Sequence, residues 1–190
     1  MKNKEKLHLL VLVEDGFNDV ELTSVLSCLS KSEKWTFTYF HNTKTNIKSQ
    51  YGTYALQATT HVDLNAYDAI FIPGGPAAQL LRSNEQAQTI IKDFWTKNKP
   101  IYAICDAPNV LFEKGLVAKN ASYSSFPIQS GNDNLNYPGT NRNANMVTNY
   151  ENKLITGRCA AAGIDLGLEI VKTTCDIDTY NLVHFYMYAK

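Results

Sequence analysis

The sequence predicts one α/β domain over residues 1–190, a sandwich of helices around a mostly parallel sheet. Three observations predict it. Residues 8–13 (HLLVLV), 69–72 (AIFI) and 101–104 (IYAI) are continuous apolar runs, the pattern of strands buried on both faces. Stretches of helical length separate such runs, which implies parallel βαβ units. At 190 residues the chain is long enough to bury a full core without disulfide or metal staples.

The elements follow in order. Strand 8–13 ends at a turn closed by Gly16. Asn18 then opens a helix to about Ser30, with Val20, Leu22, Val25, Leu26 and Leu29 on its apolar face. Residues 35–40 (WTFTYF) read as the second strand, and 53–56 as a weaker extended piece. Strand 69–72 is cut off by Pro73-Gly74-Gly75-Pro76, and a helix follows over about 84–97. Strand 101–104 leads into a helix at 108–114. Residues 128–145, rich in Asn and Gly and poor in apolar side chains, read as a surface loop. Residues 146–148 and 153–156 look like a late strand pair. A helix with a small-residue start covers 160–173, and 178–190 is a last helix with Leu182, Val183, Phe185, Tyr186 and Met187 as its apolar positions.

Composition excludes several classes. Eighteen basic side chains balance eighteen acidic ones, so no nucleic-acid or anionic-membrane partner is expected. A hydrophobic content of 44% argues against disorder. Cys28, Cys105, Cys159 and Cys175 form no CxxC pair and have no metal-ligand spacing, so no metal is expected. Near the start, only LHLLVLV stands between the charged MKNKEK and Glu14-Asp15, too short for a signal core or a membrane span. The expectation is a cytoplasmic protein with reduced thiols.

The chemistry concentrates at Ala103-Ile104-Cys105-Asp106-Ala107-Pro108. A nucleophile stands between a buried strand and a helix, with small residues two positions before and after it. This is the logic of the GxSxG elbow, whose turn is too sharp for larger flanks. The helix start places N–H groups and a partial positive charge beneath the sulfur, which predicts a lowered thiol pKa. Pro73-Gly74-Gly75-Pro76 ends a neighbouring strand on the same sheet edge. There the Gly75 N–H, with that of Asp106, is placed to form an oxyanion hole.

Glu21 has two readings. Asn18-Asp19-Val20-Glu21 is close to a capping box, with Phe17 and Leu22 as the accompanying hydrophobic staple. The same helix also begins at the carboxyl end of the first strand, the edge that carries Cys105. None of His8, His41, His61 and His184 falls near the elbow, so no Cys-His dyad is predicted. Arg158 follows the strand at 153–156 and suits either an anion at this edge or a surface carboxylate.

Taken together, these residues resemble the ThiJ/PfpI (DJ-one) superfamily, in its YajL-like and DJ-one-like branch. The resemblance rests on GFNDVE at 16–21, YDAIFIPGG at 67–75, AICDAP at 103–108, SSFP at 124–127 and LITGRCAAAGIDLGL at 154–168, and it covers essentially the whole chain. It implies a flavodoxin-like three-layer sandwich and a homodimer. It also implies that Cys105 is the reactive cysteine and Glu21 its carboxyl partner, with Gly75 and Asp106 as backbone donors and Arg158 near the site and the dimer interface. The activity it implies is a glyoxalase or deglycase reaction on a small-molecule carbonyl such as methylglyoxal, needing neither cofactor nor metal. The alternatives are a redox-sensing stress protein with an oxidisable cysteine and, more weakly, an amidase-like or peptidase-like hydrolase. The chain departs from the family pattern in two places. Asp106 stands where a small neutral residue is common, and Cys159-Ala160-Ala161 replaces Gly-Pro-Gly.

Overall fold

A computed structural model describes residues 6–53, 55–127 and 137–189. In chain order the strands are β1 (Leu7–Leu12), β2 (Trp35–Phe40), β3 (Asn46–Lys48), β4 (Ala55–Gln57) and β5 (Ala69–Ile72), followed by β6 (Ile101–Ile104), β7 (Ser122–Ser124), β8 (Asn141–Asn143), β9 (Val147–Tyr150) and β10 (Leu154–Gly157). The helices are α1 (Asp19–Lys31), α2 (Ala77–Leu81), α3 (Glu85–Thr96), α4 (Ala107–Glu113), α5 (Gly163–Thr174) and α6 (Ile177–Tyr188).

Six strands form the central sheet in the order β2-β1-β5-β6-β10-β9, all parallel except β9, which returns antiparallel to β10. The β1 strand shows why the molecule has three layers. Its Leu9 and Val11 join Leu22, Val25 and Leu29 of α1 and Leu166 and Ile170 of α5 on one face. Leu10 and Leu12 point the other way, into a second core with Ile91 and Phe94 of α3 and Val110 and Leu111 of α4. Successive strand residues alternate between faces, so a run apolar at every position needs cover on both. The chain leaves β1 for β2 on one side and returns to β5 on the other. The crevice at the carboxyl ends of β1 and β5 is therefore the switch point where open α/β sheets bind ligands.

Several elements differ from expectation. The hairpin of β3 and β4 and the parallel pair of β7 and β8 were not anticipated; strands of three residues are too short for alternation to register. Strand β8 lies within the stretch expected to be loop, and residues 128–136 of that stretch are outside the described residues. The extended piece expected at 53–56 corresponds in part to β4, with Tyr54 outside the described residues. The five-residue α2 also escaped the reading. Val20 is 47% exposed rather than on the apolar face. At about 100° per residue it stands roughly 200° from Leu22, on the other side of the helix.

Helix α6 packs on α5 and α1 mainly through Val183, while Leu182, Phe185 and Tyr186 stay at least half exposed. Among the described residues no helix is long and apolar enough to cross a membrane.

Candidate active site

Cys105 sits one residue past β6 with φ +64°, a left-handed conformation that a side chain adopts only under constraint. Neighbouring strands supply the constraint. The Cys105 N–H donates to the Gly157 carbonyl at 2.9 Å, and its own carbonyl accepts from the Phe126 N–H at 2.7 Å. Ala103 and Ala107 on either side are fully buried, leaving no room for larger flanks. The turn is the expected elbow.

Two glycines let the end of β5 approach it. A Cβ on Gly74 would lie 2.7 Å from the Cys105 Cβ and from a Glu21 carboxyl oxygen. Gly75 has φ +83°, and a Cβ there would meet the Gly16 carbonyl at 2.8 Å. The close approach puts the backbone N–H groups of Gly75 and Asp106 on the Cys105 sulfur.

Glu21 takes part in half of a capping box. The Asn18 side chain accepts from the Glu21 N–H at 3.1 Å, but the Glu21 carboxyl does not reach back to Asn18. The Asn18 N–H donates to the Gly74 carbonyl instead. The Glu21 carboxyl, 1% exposed, accepts from the Gly74 N–H at 2.8 Å and is hydrogen-bonded to the Cys105 sulfur. Burial raises its pKa to about 7; the Asp106 charge adds to the rise, and the bonds from Cys105 and Gly74 offset part of it.

The thiol corrects the expectation of a lowered pKa. Burial pushes Cys105 up, the Glu21 carboxylate pushes it further, and the Gly75 and Asp106 N–H groups return only part. Donors at the start of the seven-residue α4 are outweighed by desolvation and a facing carboxylate. The thiol therefore keeps its proton through neutrality, and Glu21 is the group of the pair that titrates near 7.

Asp106 turns its carboxylate to Arg82, although its charge still reaches Glu21. Burial alone would raise its pKa, but Arg82 and Asn109 hold it below the usual carboxylate range. Arg82 binds it through two nitrogens, at 2.7 and 3.1 Å, and also pairs with Glu113. Arg82 lies just past α2 and was missed because that helix was missed. No local signal marks it.

These groups floor a cleft of about 690 Å³. Tyr51 and Phe126 form part of its walls, and Cys159, Ala160 and Ala161 another part. Asp19 holds the Tyr51 loop, accepting from the Tyr51 N–H at 3.0 Å and from the Thr53 hydroxyl. Arg158 is not among the lining residues. Its guanidinium donates to the Ala144 carbonyl at 3.1 Å. No histidine lines the cleft among the described residues; His41 instead pairs with buried Glu14 at 3.0 Å. Among the described residues no group of three or more His, Cys, Asp or Glu is placed to hold a metal ion.

A cysteine on a strand-to-helix elbow, faced by a buried carboxyl at the edge of a parallel sheet, defines a class of α/β sandwich with a thiol site. The chain belongs to the DJ-1/PfpI family, whose sequence pattern matches residues 8–173. It is 36% identical over 179 residues to "Uncharacterized protein MG029" of Mycoplasma genitalium, covering 93% of each chain. It is 30% identical over 124 residues to "Deglycase TK1284" of Thermococcus kodakarensis, covering 65% of this chain and 75% of that one. Among solved structures, Schizosaccharomyces pombe DJ-1 superposes with a TM-score of 0.80 at 22% identity, over 96% of this chain and 99% of that one. That likeness establishes the fold, a flavodoxin-like three-layer sandwich.

Proposed function

We propose that this protein is a cysteine-dependent glyoxalase or deglycase-type enzyme acting on small reactive carbonyls such as methylglyoxal. One observation carries the reading: the Cys105 sulfur faces a carboxyl that titrates near 7 and two backbone N–H groups, at the floor of an open cleft. Relatives named deglycases support it.

The steps follow from the groups present. Glu21 takes the thiol proton as the sulfur attacks the aldehyde carbon, and the Gly75 and Asp106 N–H groups hold the oxyanion. Glu21 returns the proton to that oxygen, giving a hemithioacetal. It then moves a proton from carbon one to carbon two while the hydroxyl proton passes from the first oxygen to the second, which oxidises the aldehyde carbon as the ketone carbon is reduced. Water hydrolyses the resulting thioester, releasing a 2-hydroxy acid and restoring the thiol. A base whose pKa lies near the working pH is well matched to this shuttle. No external electron carrier enters the balance.

The test is incubation with methylglyoxal, following its loss and the appearance of lactate by proton NMR. Lactate formed catalytically supports the reading, and methylglyoxal loss limited to one equivalent of adduct rejects it. A second reading, an oxidation sensor, draws on the same donors, which suit a sulfinate as well as an oxyanion. Peroxide conversion of Cys105 to sulfinate without turnover would favour it. The exposed Leu182, Phe185 and Tyr186 of α6 favour a homodimer, and light scattering that gives a monomer at micromolar concentration rejects the dimer.

A further inference from the structure

Among the described residues that line the cleft, Arg82 is the only lysine or arginine. A guanidinium has five N–H bonds. All five of Arg82 are spent. Its Nε donates to Glu113 at 2.6 Å. One terminal nitrogen donates to Asp106 at 2.7 Å and to the Ala78 carbonyl at 3.3 Å. The other donates to Asp106 at 3.1 Å and to Glu113 at 2.8 Å. No donor of Arg82 is left for an incoming anion.

The charges do not balance. Two carboxylates share one guanidinium, which leaves one negative charge in excess, and Glu21 adds to it when ionised. Gln79, which also lines the cleft, donates to the already shared Asp106 at 3.2 Å. The walls include the rings of Tyr51, 63% exposed, and Phe126, 40% exposed. Open aromatic faces beside excess negative charge attract cations and tolerate neutral groups.

We propose that the cleft selects uncharged and cationic carbonyl compounds and rejects those bearing a carboxylate or phosphate, with Glu113 as the specificity-determining charge. A carboxylate ligand must break the two-point Arg82–Glu113 pair to reach a cationic donor, and doing so leaves Glu113 unpaired beside it. The substrate class rests on the carbonyl-enzyme reading above. The charge selection itself is measurable without turnover.

The experiment uses two thiol reagents of similar size, a methanethiosulfonate carrying ethyltrimethylammonium and one carrying ethylsulfonate. Modification of Cys105 is followed by mass spectrometry of its peptide, and the ratio of the two rates is divided by that for the urea-unfolded chain. The expected normalised ratio favours the cation by about tenfold or more at low salt. It falls severalfold in 0.5 M NaCl, because exposed charges are screened. Glu113→Gln, which leaves Arg82 paired with Asp106 alone, collapses it toward one. A ratio near one in the unaltered protein, or one that neither salt nor Glu113→Gln changes, overturns the proposal. A turnover arm compares methylglyoxal with 4,5-dioxopentanoate, which keeps the 2-oxoaldehyde unit and adds a carboxylate. If the thiol ratio holds and neither compound turns over, the carbonyl reading fails and the charge selection stands. Turnover of the dioxopentanoate as efficient as that of methylglyoxal sinks the charge selection alone.

Discussion

The elbow at Cys105 and the seam at Cys28 share helix α1, and both bury a thiol. Burial pushes the Cys28 thiol up to about 12, and it pushes Cys105 up as well. The surroundings separate them. Cys28 is fully buried, and its thiol donates to the Ile164 carbonyl at 3.6 Å between α1 and α5. No cleft reaches it among the described residues. Cys105 is partly exposed at the floor of a cleft, on a left-handed residue, with a proton acceptor in contact. Desolvation alone therefore does not mark a site. What distinguishes Cys105 is a partner able to take its proton and space for a reactant.

The strongest way to break this comparison is to remove each sulfur. Cys105→Ser is expected to lower methylglyoxal turnover by about a thousandfold or more, the scale of losing a nucleophile. Cys28→Ser keeps a donor for Ile164 and is expected to cost about 1–2 kcal/mol in urea unfolding with turnover per folded molecule unchanged. Equal losses of turnover from the two changes would mean that position on the elbow confers nothing special.

Glu21→Gln sharpens the contrast from the other side. It preserves shape and removes the titrating carboxyl. Turnover is expected to fall by about two orders of magnitude, the usual size of an acid–base contribution. In the unaltered protein, kcat/KM should rise with pH through about 7 as Glu21 becomes a base, and the variant should lack that limb. The Cys105 pKa should drop, since the carboxylate that raises it is gone, so alkylation by iodoacetamide at neutral pH should speed up. Stability follows the same group. The native state holds the Glu21 proton more tightly than the unfolded chain does. Its contribution is thus full below about 4.5 and is lost as pH rises through about 7. Unfolding at several pH values should show this decline in the unaltered protein and not in Glu21→Gln. Identical pH profiles would return Glu21 to a capping role.

Much of this site was legible because its parts are local. The elbow is six consecutive residues whose alanines declare the sharp turn, and the strand before it is apolar at every position. Glu21 was legible as a cap and ambiguous as a partner, because the atom that claims its carboxyl is the Gly74 N–H, 53 residues away. Arg82 was not legible at all. Its meaning depends on Asp106 and Glu113 arriving from α4, and its own helix is only five residues long. The raised thiol pKa was missed for a related reason. The helix start is visible in sequence, while the burial and the facing carboxylate that outweigh it exist only after folding. Arg158 shows the converse: its position beside the right strand was legible, while its contact with the Ala144 carbonyl of the neighbouring segment, outside the cleft lining, was not.

The smallest effect tests whether the seam and the elbow are independent. Gly167 on α5 faces Cys28, and a Cβ there would lie 2.7 Å from the Cys28 Cβ and 2.9 Å from its sulfur. Alanine favours the helix by about 1 kcal/mol over glycine, but overpacking a filled core costs about 1–3 kcal/mol. The Cβ it meets is attached to backbone and has no rotamer to escape through. Gly167→Ala is therefore expected to be destabilising by about 1 kcal/mol net, a Tm decrease of roughly 2–4 °C for a domain of this size. Turnover per folded molecule should not change. At Gly74 the added methyl meets a cysteine Cβ at the same 2.7 Å, but a Glu21 oxygen lies equally close, so Gly74→Ala should lower turnover as well as Tm. Calorimetry and methylglyoxal consumption on both variants decide the matter. Glu21 and Cys28 stand seven residues apart on α1, two turns of one rigid helix. If Gly167→Ala also slows turnover, pressure on the seam displaces the carboxyl at the elbow, and α1 joins the two regions instead of merely serving both.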